Sequence, residues 1–134
     1  MQWSKAQKKF ELLLAPSLKN RLKVHITEYR NTSGFDLGRG WLTLNGDEIV
    51  SVMIPSFYSK NFYFRTNTLN FGEAIIEYVN LNIQEIKKSQ DELINGFIFL
   101  DRRIGKRYIK NINLSSLHPF ARVTYLLRCE VERI

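Results

Sequence analysis

Cysteine, histidine and proline are scarce in this 134-residue chain: one Cys, two His and three Pro. The single thiol, Cys129, has no partner for an internal disulfide. That excludes a stapled scaffold and fits a reducing compartment, so a cytoplasmic protein is expected. His25 and His118 stand in neither a zincin nor a zinc-finger spacing, which argues against a metal site. No stretch approaches the roughly 20 apolar residues of a membrane span, and the polar opening Met1–Leu14 does not read as a signal peptide. Gly38-Arg-Gly40 lacks the strand–turn–helix setting and the lysine of a phosphate loop. Internal repeats and low-complexity tracts are also missing.

What the chain does have is apolar material and positive charge. Hydrophobic residues make up 44% and aromatics 13%, enough for a packed core rather than disorder. The length suits one domain, residues 1–134, burying about two-thirds of its unfolded surface. The net charge is +7. Such a balance points to an anionic partner: nucleic acid, an acidic protein face or a membrane surface.

Periodicity sets the order of elements. Trp3, Ala6, Phe10, Leu13 and Leu14 recur at helical intervals, and Ser4 with Gln7 has capping-box spacing. This predicts a helix over residues 4–14, with Trp3 as a staple before the cap. From Leu22 to Tyr29 the pattern alternates, with Leu22, Val24 and Ile26 on one face of a strand. Asn31–Gly38 is rich in turn formers and reads as a loop. Trp41–Leu44 and Glu48–Ile54 flank Asn45-Gly46-Asp47, a tight antiparallel hairpin, with Pro55 ending the second strand. Residues 55–69, with Phe57, Tyr58, Phe62, Tyr63 and Phe64, fit either a further strand or an aromatic loop. Ile75, Ile76, Tyr78, Val79, Ile83 and Ile86 mark one helix from about residue 71. Asn80 and Asn82 weaken that helix without breaking it. Ser89 with Glu92 opens a third helix through Leu100, with Arg102 and Arg103 in its last turn and Gly105 as a left-handed cap. Pro119 starts a final helix with Phe120, Val123, Leu126, Leu127 and Val131 inward. Strands first and helices after them give an α+β fold: an N-terminal helix, a small antiparallel sheet, then about three helices.

The chemistry-bearing positions are few. No catalytic residue and no cofactor site stands out. Cys129, among Leu126, Leu127 and Val131, reads as a core thiol. Asp47–Glu48 and Asp91–Glu92 are explained by a turn and a helix start. The densest signal is basic. Arg102, Arg103, Lys106, Arg107 and Lys110 fall within nine residues that hold no acid, and they form the candidate binding set. A second patch comprises Lys5, Lys8, Lys9, Lys19, Arg21 and Lys23 against Glu11. Arg102 and Arg103 have a structural reading as partners of Glu77, Glu85, Glu130 or Glu132. Lys106 and Arg107, beyond the glycine, are better placed to meet another molecule.

Both ends of the chain resemble a family of small uncharacterised bacterial proteins. The residues that carry the likeness are Trp3-Ser-Lys5, Phe10, Leu14, Pro16-Ser-Leu-Lys19 and Arg21, then Thr27, Tyr29 and Gly38-Arg39. In the second half they are Leu100-Asp-Arg-Arg-Ile-Gly-Lys-Arg107 and His118-Pro119 with Leu127-Arg-Cys-Glu130. Ala15 stands where the family pattern has cysteine, so no obligatory nucleophile or ligand is implied there. The resemblance implies a bacterial protein of one domain and brings no mechanism with it.

The function expected from these residues is that of a non-enzymatic binding domain with a basic surface for nucleic acid or an acidic protein. An immunity or antitoxin-like inhibitor of one protein is the first alternative. The second is an enzyme with a dispersed site, in which His25, Tyr29, Arg39 and the 102–107 cations act on an anionic substrate.

Overall fold

A computed structural model describes residues 2–30, 36–54 and 69–134. The aromatic segment at 57–64, Pro55 and residues 31–35 of the expected loop lie outside the described residues. The architecture is α+β. An N-terminal helix, α1 (Trp3–Leu13), precedes a three-stranded antiparallel sheet of β1 (Leu22–Arg30), β2 (Asp36–Leu44) and β3 (Asp47–Ile54) in the order β1-β2-β3. Among the described residues five α-helices follow: α2 (Phe71–Asn80), α3 (Ile83–Lys88), α4 (Glu92–Phe97), α5 (Lys106–Lys110) and α6 (Pro119–Glu132). No helix among the described residues is long and apolar enough to cross a membrane.

α1 buries Ala6 and Phe10, as its period requires. Its start differs from the expected capping box. Gln2 holds the cap position without a side-chain bond, and Trp3 is already helical. Gln7 instead donates to the Val24 carbonyl at 2.7 Å, tying the helix to an edge strand. In the hairpin, Asn45 (φ 54°) and Gly46 (φ 90°) both take the positive angles of a two-residue turn. Asp47 pairs with Leu44 and so belongs to β3. β2 starts earlier than turn composition suggests. Asp36, Leu37 and Gly38 pair with Arg30, Tyr29 and Glu28, because the ladder offered by β1 overrides local preference. Val24, Leu42 and Val52 face the helices and are fully buried. Gly40 lies where a Cβ would meet the Phe71 side chain at 2.0–2.4 Å, so this strand position admits α2 only as glycine.

The helix expected from residue 71 onward is two helices. Asn82 accepts from the Glu85 N–H at 2.9 Å, and Glu85 accepts from the Asn82 N–H at 3.0 Å, a capping box that opens α3. Asp91, not Ser89, caps α4 by accepting from the N–H groups of Leu93 and Ile94. α4 stops at Phe97 and passes into a 3₁₀ turn, Ile98–Leu100. Arg102 and Arg103 therefore lie beyond the helix and do not sit on its dipole. Phe97 is the hub of the core. Phe10, Phe71, Tyr78 and Phe120 meet its ring edge-to-face at centroid distances of 5.4–5.7 Å.

Candidate functional site

The basic run takes its shape from one buried acid. Leu14 and Asp101 form an isolated antiparallel bridge. The Ala15 N–H donates to the Leu100 carbonyl at 2.9 Å and the Arg102 N–H to the Leu13 carbonyl at 2.7 Å. The end of α1 and the start of the run are thus stitched together. Asp101 is buried and its carboxylate is saturated by donors. The Tyr78 hydroxyl donates to it at 2.5 Å, the Arg103 N–H at 2.8 Å and the Arg103 guanidinium at 2.6 and 3.0 Å. Burial, reinforced by the Asp101 charge and hydrogen bond, pushes the Tyr78 hydroxyl far up from its usual value. The hydrogen bond to Asp101 likewise raises Arg103, against the opposing effect of burial.

Beneath this turn lies Arg128, 3% exposed. It donates to the carbonyls of Phe99 and Asp101 at 3.0 Å and of Ile104 at 2.6 Å, while its Nε pairs with Glu132 at 2.6 Å. One planar guanidinium thereby bonds three carbonyls between the 3₁₀ turn and Ile104, that of Asp101 being shared with the Ile104 N–H. Sequence reasoning missed both Asp101 and Arg128. The signal for Arg128 was its register, since it falls on the buried face of α6 with Phe120, Thr124 and Leu127.

The five candidate residues therefore divide. Arg103 is held by Asp101, not by the glutamates considered for it. Arg102, Lys106, Arg107 and Lys110 are exposed, and among the described residues their side chains make no hydrogen bond or ion pair. Gly105 is not a left-handed cap. Its extended backbone (φ −94°, ψ 172°) instead leads into α5, a helix of five residues too short to leave a period in the sequence. α3 contributes further cations: Lys87 and Lys88 are exposed at its end, and the Lys87 ammonium lies 5.1 Å from the centroid of the Tyr108 ring.

A pocket of about 160 Å³ opens beside these cations, between α3, α5 and α6. Its floor is apolar, from Ile86, Ile98, Phe99 and Ala121, and its walls include the half-buried Tyr108 and Ile112. His118 lines it too, but both ring nitrogens are engaged. Nδ1 accepts from the Phe120 N–H at 3.1 Å, so it carries no proton, and Nε2 faces Glu92 at 2.9 Å.

The other expected groups lie elsewhere. His25 stacks on Trp41 at 5.2 Å and its Nε2 meets the Thr43 hydroxyl at 2.9 Å. The Arg39 guanidinium lies over the same Trp41 ring, 4.2 Å from its centroid, donates to Ser51 and pairs with Glu48. His25 and Arg39 are thus brought together on the sheet, but neither lines the α3–α5–α6 pocket. The N-terminal basic patch forms a second groove of about 320 Å³ lined by Lys8, Lys19 and Lys23 with Glu11, and Lys23 pairs with Glu11 at 3.6 Å. Arg21 is bonded to Ser17 and Asn45. Cys129 is half-buried against the core. Among the described residues, no group of three or more His, Cys, Asp or Glu side chains could hold a metal ion.

No curated protein and no solved structure matches the chain. A family model does, over residues 2–69 and 63–129. With most of its length matched in this way, the chain belongs to the SF0329 protein family.

Proposed function

We propose that this protein is a non-enzymatic binding domain whose α3–α5 face engages an anionic macromolecule, foremost an acidic protein surface. One observation carries the reading. The arginines with structural work, Arg103 and Arg128, are bonded internally, whereas Arg102, Lys106, Arg107 and Lys110 are exposed with no partner among the described residues. Exposed cations left unpaired add nothing to the fold, but they speed and orient encounter with a negative surface. Protein is favoured over nucleic acid because an apolar pocket adjoins this face, with Lys87 in its lining.

The test is fluorescence anisotropy with a labelled acidic peptide and with single- and double-stranded oligonucleotides, from low to physiological salt. Binding of the peptide that weakens with salt, and that Lys106→Glu with Arg107→Glu abolishes, supports the reading. Preferential, steeply salt-dependent binding of an oligonucleotide reassigns the partner to nucleic acid. Absence of all binding at low salt refutes the basic face as a binding surface.

A further inference from the structure

We infer that the pocket between α3, α5 and α6 receives one aromatic or branched apolar side chain from an acidic segment of the partner protein. The inference rests on the binding reading above and adds the element that the partner must present. Three features lead to it. The first is size: about 160 Å³ is close to the roughly 150 Å³ of an apolar cavity known to accept benzene, so one ring or one leucine-sized group fills it. The second is chemistry. Ile98, Phe99 and Ala121 form a floor that offers nothing to a charged group, and the nitrogens of His118 are already engaged.

The third feature is the charge around the mouth. Lys87 lines the pocket and sits against Tyr108, whose neighbours in α5 are Arg107 and, two residues on, Lys110. A carboxylate flanking the inserted side chain finds these cations without desolvating any of them fully. A second copy of this chain fits poorly through Leu12, the most exposed leucine among the described residues, which stands among Lys8, Lys9 and Lys19, and docking through Leu114 or Leu126 would appear as self-association of the free chain. An apolar anchor inside a charged rim is the arrangement that concentrates binding energy in few residues.

The experiment uses two synthetic peptides with identical aspartate- and glutamate-rich flanks, one with a central phenylalanine and one with a central alanine. Both are titrated into the full chain and followed by amide chemical shifts. The phenylalanine peptide should bind about ten- to a hundredfold more tightly, as burial of one aromatic side chain implies, and should shift Asn95, Ile112 and Ala121. Ser116→Phe, placed at the exposed rim, should erase the preference while leaving the binding of the alanine peptide unchanged. Equal, salt-sensitive binding of the two peptides without shifts at those amides overturns the anchor and leaves the basic face standing. A phenylalanine preference that persists when the flanks are made neutral overturns the acidic partner. Failure of both peptides to bind at low salt overturns both readings.

Discussion

Replacing Arg128 by methionine tests whether the 99–104 turn is held by one buried cation. Methionine keeps an unbranched stem in the core but removes the guanidinium, so the carbonyls of Phe99 and Ile104 lose their donor, that of Asp101 keeps only the Ile104 N–H, and Glu132 loses its partner. A hydrogen bond to a charged group contributes about 1.5–3 kcal/mol. Relief of the buried cation's desolvation offsets part of the sum, and one-sided loss of a buried pair costs about 3–5 kcal/mol in total. That is a large share of the roughly 5–15 kcal/mol that holds a domain together. At about 4 °C per kcal/mol for a chain between the small and mid-sized ranges, the melting temperature should fall by about 12–20 °C. Urea unfolding followed by far-ultraviolet circular dichroism should show an earlier midpoint with the slope unchanged. Arg128→Lys should recover only part of the loss, because one ammonium cannot span three carbonyls set around a planar fork. Arg107→Met serves as the contrast and should stay within about 0.5 kcal/mol of the parent. A destabilisation of Arg128→Met below about 1 kcal/mol would refute the structural role assigned to that side chain.

The Tyr78 hydroxyl gives a pH signature. Its folded value is raised above the ordinary 10.0, so both states keep the proton below about pH 10 and only the unfolded chain loses it above. Stability should therefore fall above that pH by up to about 1.4 kcal/mol per pH unit on account of this group. Tyr78→Phe should cost about 1–2 kcal/mol at neutral pH through the donor lost to Asp101, yet show a shallower alkaline slope of urea midpoints. Parallel slopes for the two proteins would show that the hydroxyl is not the group protected. Gly40→Ala should cost about 1–3 kcal/mol, because the new methyl meets the Phe71 ring. Thermal melts of Gly40→Ala combined with Phe71→Ala should show a loss smaller than the sum of the single changes, and strict additivity would contradict the contact.

The face-forming residues also divide by what kind of signal reveals them. The basic run was visible as composition, but composition could not say which cations are free. Arg102 and Arg103 are adjacent, identical and both exposed, yet only Arg103 clasps an acid, Asp101. The pocket left no mark in the sequence at all, since its lining comes from four helices, α3 to α6, and the segments between them.

Sequence alone determined the features whose cause lies within a few residues. Alternation at Leu22, Val24 and Ile26 put the right side of β1 inward, Asn45-Gly46 set the hairpin, and Pro119 opened α6. Helix boundaries were less legible because Asn82 and Asp91 can end one element or begin the next, and the choice depends on what packs beneath. Only the tertiary structure decided the rest. Arg128 meets the Asp101 carbonyl across 27 residues of sequence and Tyr78 meets the Asp101 carboxylate across 23. No local pattern encodes such pairings, because a buried charge becomes affordable only once the folded chain has brought its partners to it.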